Sequence, residues 1–151
     1  AGQRERVRGY VDAGKREGGE LVCGGDAPAR PGYFFEPTVF ARMRADMTPV
    51  KSEIFGPVLC VQSFDDADLD RVAAEANSTI YGLSGSVWTR DIGPAMQMVR
   101  RIDAGQVSVN MHAALDPAMP FGGNKQSGWG REFGKEGLEP YLKTKGVSVA
   151  W

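Results

Sequence analysis

The chain has 151 residues, 42% of them apolar and 25% charged, close to the averages of soluble globular proteins. That length suffices for one domain burying roughly two-thirds of its unfolded surface. Its 18 basic and 19 acidic residues, net charge −1, interleave without a like-charge block, so neither a nucleic-acid footprint nor a membrane-surface patch is expected. A single His all but excludes a Cys/His zinc site, and no metal site is expected. No apolar run approaches the roughly 18 residues of a membrane span, and no charged-then-apolar leader opens the chain, so a cytoplasmic setting is expected.

Val7, Tyr10, Val11 and Gly14 recur at helical spacing, predicting an amphipathic helix up to about Glu17. Leu21-Val22-Cys23 reads as a short strand closed by Gly24-Gly25, residues 26–32 as a loop, and Thr38-Val39-Phe40 as the next strand. Cys23 and Cys60 both sit in apolar runs and read as small buried hydrophobes with raised thiol pKa. Residues 58–64 read as a buried strand, and Asp65 or Asp66 as the cap of a helix whose Leu69, Val72, Ala73 and Ala76 share a face. A strand at 82–88 follows, then a helix capped by Asp91 with Ala95, Met98, Val99 and Ile102 on one face, stopping at Gly105. A Val-rich strand at 106–111, a Gly-heavy loop at 120–130, a short helix at 132–141 and an alternating tail, Val147 to Trp151, complete the order. Strand–helix–strand–helix–strand predicts an α/β fold with a mostly parallel sheet flanked by helices. The last strand has no following helix and presents an edge that seeks a partner.

Glu53-Ile54-Phe55-Gly56-Pro57-Val58 places a carboxylate and an aromatic ring on a loop entering a strand. By itself Glu53 reads as a solvated loop carboxylate and Phe55 as a core aromatic. Three ordered segments change that reading. One runs Gly9-Tyr10-Val11-Asp12-Ala13-Gly14-Lys15 through Cys23-Gly24-Gly25 to Gly32-Tyr33-Phe34-Phe35-Glu36-Pro37-Thr38-Val39. Another joins Glu53–Val58 to Ala76-Asn77-Ser78-Thr79 and Tyr81-Gly82-Leu83. The third joins Val109-Asn110 to Pro120-Phe121-Gly122-Gly123-Asn124-Lys125-Gln126-Ser127-Gly128-Trp129-Gly130-Arg131-Glu132. Together they resemble the aldehyde dehydrogenase superfamily, in its order, from near residue 7 to the end of the chain.

The resemblance implies the C-terminal part of an NAD- or NADP-dependent aldehyde dehydrogenase, which oxidises an aldehyde to a carboxylic acid through a cysteine thioester. It implies that Glu53 holds the nicotinamide-ribose hydroxyls and Phe55 packs beside the nicotinamide. It further implies that Phe121 lines the aldehyde tunnel, with Leu115 and Met111 as weaker contributors, and that Glu132 is a carboxylate near the general base. Residues 1–142 then belong to the catalytic domain, and 143–151 form the strand of an oligomerisation sheet joining copies of the chain. The family's nucleophilic cysteine and general-base glutamate lie well upstream of the clamp, and 52 residues precede Glu53 here. No catalytic residue is therefore expected in this chain, and the isolated chain is expected to be inactive.

Bland readings stand beside several of these. Glu132 at a helix start equally suits the helix dipole, and Arg131 beside it reads as structural. Asn77-Ser78-Thr79 is a formal glycosylation sequon, read as a helix-end cap, and Asn110 as a bond to loop backbone. His112 has no partner legible in sequence for a general base. Gly128 to Gly134 mimics a dinucleotide fingerprint with its third glycine one place late, and Gly122 to Gly128 lacks the Gly-Lys-Ser/Thr ending of a phosphate loop. A non-catalytic interaction module using the exposed strand, or one chain of a split enzyme, are the alternatives to a segment of a complete dehydrogenase.

Overall fold

Helix α1 (Gly2–Arg16) forms where the spacing of Val7, Val11 and Gly14 places them on one buried stripe, and it stops at Glu17 as expected. The computed structural model describes residues 1–65, 68–112 and 115–151, in two units, Ala1–Thr79 and Ile80–Trp151.

In the first unit, β1 (Glu20–Cys23) pairs antiparallel with β2 (Thr38–Ala41), which pairs parallel with β3 (Val58–Cys60). The register sets Thr38 opposite Val58 and Phe40 opposite Cys60. Val11, Phe40, Met43 and Met47 form the core between this sheet, α1 and the short helix α2 (Thr48–Lys51). A Cβ on Gly14 would stand 3.1 Å from the Phe40 ring, so the glycine makes room for that aromatic beneath the helix. Strand β3 ends at Cys60, short of the expected Phe64, and Val61 and Phe64 are exposed. Helix α3 (Leu69–Ala76) is capped by Asp68, whose carboxylate accepts from the Arg71 N–H at 3.0 Å, rather than by Asp65. Asp66, the other expected cap, lies outside the described residues. Asn77 is the C-cap of α3, as its position suggests.

The second unit is built on a β–α–β element. Strands β5 (Ser84–Val87) and β6 (Gln106–Val109) run parallel, with Ser84 opposite Gln106 and Val87 opposite Val109, and α4 (Ile92–Arg101) connects them. Asp91 caps α4 through Gly93 N–H at 2.8 Å, while Ala95 and Met98 are buried. The helix ends at Arg101, with Ile102 extended, before Gly105. Gly105 serves a close approach instead of a helix cap. A Cβ there would collide with the Gly122 carbonyl oxygen, so two backbone segments meet at this point. Strand β4 (Tyr81–Gly82) pairs antiparallel with β7 (Asn124–Lys125).

The parallel pairings are therefore real but short, and they lie in two separate sheets accompanied by antiparallel ladders. The expected helix at 132–141 does not form. Glu132 is extended, in an antiparallel bridge with Phe121, and Phe133 and Gly134 have φ of 60° and 58°. Left-handed residues break a right-handed helix, and only a 3-10 turn remains at Glu139–Tyr141. Residues 142–151 form no strand within this chain and are exposed, including Val147, Val149 and Trp151.

Candidate functional site: a loop presenting Glu53 and Phe55

The loop between α2 and β3 is pinned at both ends. Thr38 N–H donates to the Pro57 carbonyl at 2.8 Å, and Ile54 is buried with 7% of its surface exposed. With Ile54 inward, Glu53 and Phe55 on either side face solvent, and the Phe55 ring is 78% exposed. Phe55 adopts φ of 55°, a left-handed conformation uncommon for an aromatic residue. Within this chain Phe55 is therefore not a core aromatic.

Helix α1 supports this loop from one face. Gln3 Nε2 donates to the carbonyls of Ile54 (3.2 Å) and Phe55 (2.8 Å), and Arg6 Nη2 donates to the Glu53 carbonyl (3.4 Å). A Cβ on Gly56 would stand 2.5 Å from Val7 Cγ2, so the loop lies directly on the helix. None of Gln3, Arg6 and Val7 carried a signal for this role, because the contacts span about fifty residues of chain. Beside the loop a cavity of about 470 Å³ is lined by Phe55, Gly56, Tyr33, Phe34 and Arg4. The Arg4 guanidinium stands 5.9 Å from the centre of the Tyr33 ring, giving this cavity an aromatic and cationic wall.

In the second unit, Phe121 and Glu132 come together. Their backbones exchange hydrogen bonds of 2.8 and 2.7 Å, closing the Gly-rich loop between them. Arg131 holds that loop from within: Nη1 donates to the Gly123 and Gly130 carbonyls and Nη2 to Asn124 Oδ1, each at 2.8 Å. Asn124 in turn donates to Asp103 at 3.0 Å. The structural reading of Arg131 is correct, while Glu132 at a helix start is overturned by the bridge. Phe121 and Glu132 line a cavity of about 490 Å³ with Leu83, Trp129 and Arg131. Met111 and Leu115 are exposed and do not line it. Residues 113 and 114 lie outside the described residues.

The cysteines separate. Cys60 is half-buried, and burial pushes its thiol pKa up. Cys23 is exposed, contrary to expectation, because β1 is an edge strand whose burial is slight along its length. His112 also gains a partner that the sequence did not reveal: its Nδ1 lies 2.8 Å from Ser86 Oγ, tying the end of β6 to β5. Asn110 bonds loop backbone as expected, giving and receiving one hydrogen bond with Thr89. Among the described residues no three His, Cys, Asp or Glu side chains gather as metal ligands.

The family model described as the aldehyde dehydrogenase family matches residues 1–147. The chain belongs to that family. Among aldehyde dehydrogenase relatives, betaine aldehyde dehydrogenase of Rhizobium leguminosarum bv. trifolii is 46% identical over 150 residues, covering 97% of this chain and 30% of that protein. Cytosolic 10-formyltetrahydrofolate dehydrogenase of Xenopus laevis is 45% identical over 142 residues, covering 94% of this chain and 16% of that protein. The NAD+ complex of aldehyde dehydrogenase from Bacillus cereus superposes with a TM-score of 0.92 at 44% identity, covering 99% of this chain and 30% of that one. The chain thus spans less than a third of the length of these aldehyde dehydrogenase relatives.

Proposed function

We propose that this chain is the C-terminal segment of an NAD(P)-dependent aldehyde dehydrogenase and that Glu53 and Phe55 form its clamp on the nicotinamide riboside. The observation that carries the reading is the loop itself. It spends left-handed backbone strain to hold an aromatic ring out in solvent, two residues from an exposed carboxylate. A carboxylate accepts hydrogen bonds from both hydroxyls of a vicinal diol, and a planar ring limits the rotation of a neighbouring heteroaromatic. The donor set fits the group: Glu53 for the ribose, Phe55 for the nicotinamide, and an adjoining cavity with aromatic walls. Bound there, NAD(P) supplies a hydride acceptor. Glu53 and Phe55 orient it, and the cysteine nucleophile and glutamate base come from sequence outside this chain.

Phe121 serves as part of the aldehyde-facing wall, held in place by its backbone bridge to Glu132, which lines the same cavity and belongs to a proton path near the general base. Met111 and Leu115, both exposed in this chain, are weaker contributors to that wall. The apolar character of Phe121, Met111 and Leu115 favours an uncharged aldehyde. Residues 143–151 complete a sheet with another copy of the subunit, a reading supported by their exposure and by the alternation of Val147, Val149 and Trp151. We assign the enzyme to the cytoplasm, where some of its relatives are by name, others being mitochondrial by name.

Steady-state and single-turnover kinetics of the full-length enzyme test this reading. Phe55→Ala should slow hydride transfer, and Glu53→Gln should raise KM for the dinucleotide. Unchanged hydride transfer and unchanged KM in both variants refute the clamp. A homogeneous preparation of the 151-residue chain should show no aldehyde oxidation. Tight self-association of that chain, lost on deleting residues 147–151, together with unchanged kinetics in both variants of the full-length enzyme, would instead favour the interaction-module reading.

A further inference from the structure

We propose that Gln3 is a positioning residue for the nicotinamide clamp, locking the left-handed conformation that aims the Phe55 ring. The proposal rests on the assignment of Phe55 to the clamp. Gln3 Nε2 reaches two successive carbonyls, Ile54 at 3.2 Å and Phe55 at 2.8 Å. Those carbonyls belong to the two peptide planes that flank Phe55, so a donor that holds both constrains the turn of the chain at that residue. In an extended residue successive carbonyls point to opposite sides of the chain. In a left- or right-handed helical residue they point the same way, where one donor can reach both. A single amide group thus favours a turned over an extended conformation at Phe55, and the observed φ of 55° puts that turn on the left-handed side.

The chemistry of the side chain matches this role. Both acceptors are carbonyl oxygens, which demand donors, and the –NH2 end of a glutamine offers two. A glutamate at the same position offers none when ionised. Gln3 lies in the first turn of α1, on the face that also carries Arg6 and Val7, and both of these touch the same loop. The carbonyls of three consecutive residues, Glu53, Ile54 and Phe55, are therefore held by one face of one helix. Without Gln3 the loop keeps the Arg6 bond to the Glu53 carbonyl, the packing of Gly56 on Val7 and the Thr38 bond to Pro57, but the two carbonyls that flank Phe55 lose their shared donor. The residue is then free to relax to the extended or right-handed region, which swings the ring away from its present direction.

The test is a double-mutant cycle in the full-length enzyme, with single-turnover hydride transfer and KM for the dinucleotide as readouts. Gln3→Ala and Gln3→Glu should each slow hydride transfer about threefold to tenfold, the range one or two exposed neutral hydrogen bonds support. KM should move less than the rate, because the Glu53 carbonyl keeps its Arg6 bond. In a Phe55→Ala background, where no ring remains to aim, the effect of Gln3→Ala should vanish. A Gln3→Ala effect that persists undiminished in that background marks a merely structural role and overturns the proposal. So does an unaltered rate in Gln3→Ala when Phe55→Ala is slow. If Phe55→Ala itself has no effect, the clamp assignment fails instead, and the two failures are told apart.

Discussion

Gly56→Ala should disable the clamp through a single methyl group. The backbone of Gly56 is not left-handed, so alanine is conformationally acceptable there and the cost is steric. Its Cβ would stand 2.5 Å from Val7 Cγ2 and 3.2 Å from Cγ1. Apolar carbons settle at about 3.5–4.0 Å, so one partner must yield by roughly 1 Å. Val7 has little freedom to do so: it is 3% exposed and β-branched within a helix, where one χ1 rotamer strongly dominates. The loop must move, and overpacking of this kind costs about 1–3 kcal/mol. A shift of about 1 Å in a positioning element lowers a reaction rate by up to ~100-fold. Urea denaturation should show the stability loss, and stopped-flow hydride transfer in the full-length enzyme should show the slowing. Val7→Ala on its own costs about 2 kcal/mol for two lost methyls and the space they leave. In that background Gly56→Ala should become nearly neutral. A Gly56→Ala variant within about 0.5 kcal/mol of the parent, or a cost that survives unchanged beside Val7→Ala, would refute the reasoning.

Phe40→Ala removes a fully buried ring from the centre of the first unit and should cost about 3–5 kcal/mol by denaturant titration; less than ~1 kcal/mol would mean that the ring is not a core element. Cys23 should react with a thiol reagent at neutral pH well before Cys60, whose half-buried thiol has its pKa raised by burial and so offers less thiolate; peptide mapping that finds the reverse order contradicts the burial assigned to β1 and β3. The Glu17 carboxylate accepts from Thr48 N–H (2.7 Å) and Thr48 Oγ1 (2.6 Å), bonds that hold its pKa below the usual carboxylate range. A depressed folded-state pKa stabilises above the unfolded value and is lost as pH falls through the folded one. Glu17→Gln should therefore flatten the acid limb of a stability–pH profile below the usual Glu titration range and leave its alkaline limb alone, and an unaltered acid limb would contradict the assignment.

The elements most legible in the sequence were those whose information is local. The apolar stripe of α1, the Asp91 cap of α4 and the Val-rich β6 each declare themselves within one or two turns of chain. Where a distant partner decides, local pattern misleads. Residues 132–141 open on a glutamate that suits a helix start, yet Glu132 pairs with Phe121 across the Gly-rich loop and two left-handed residues follow. Cys23 lies in an apolar run but on an edge strand, and no neighbour in sequence reports that edge. The candidate site divides the same way. Glu53 and Phe55 were visible as residues, whereas the left-handed turn that presents Phe55, and the helix face that holds it, depend on contacts about fifty residues apart.

The most direct test of the central claim is a crystal structure of the full-length enzyme with NAD+ bound. The account predicts a Glu53 carboxylate oxygen within about 3 Å of the nicotinamide-ribose hydroxyls. It also predicts the Phe55 ring against the nicotinamide, with φ at Phe55 still positive. A cofactor whose ribose is held by other residues, with Glu53 and Phe55 both left in solvent, would contradict it.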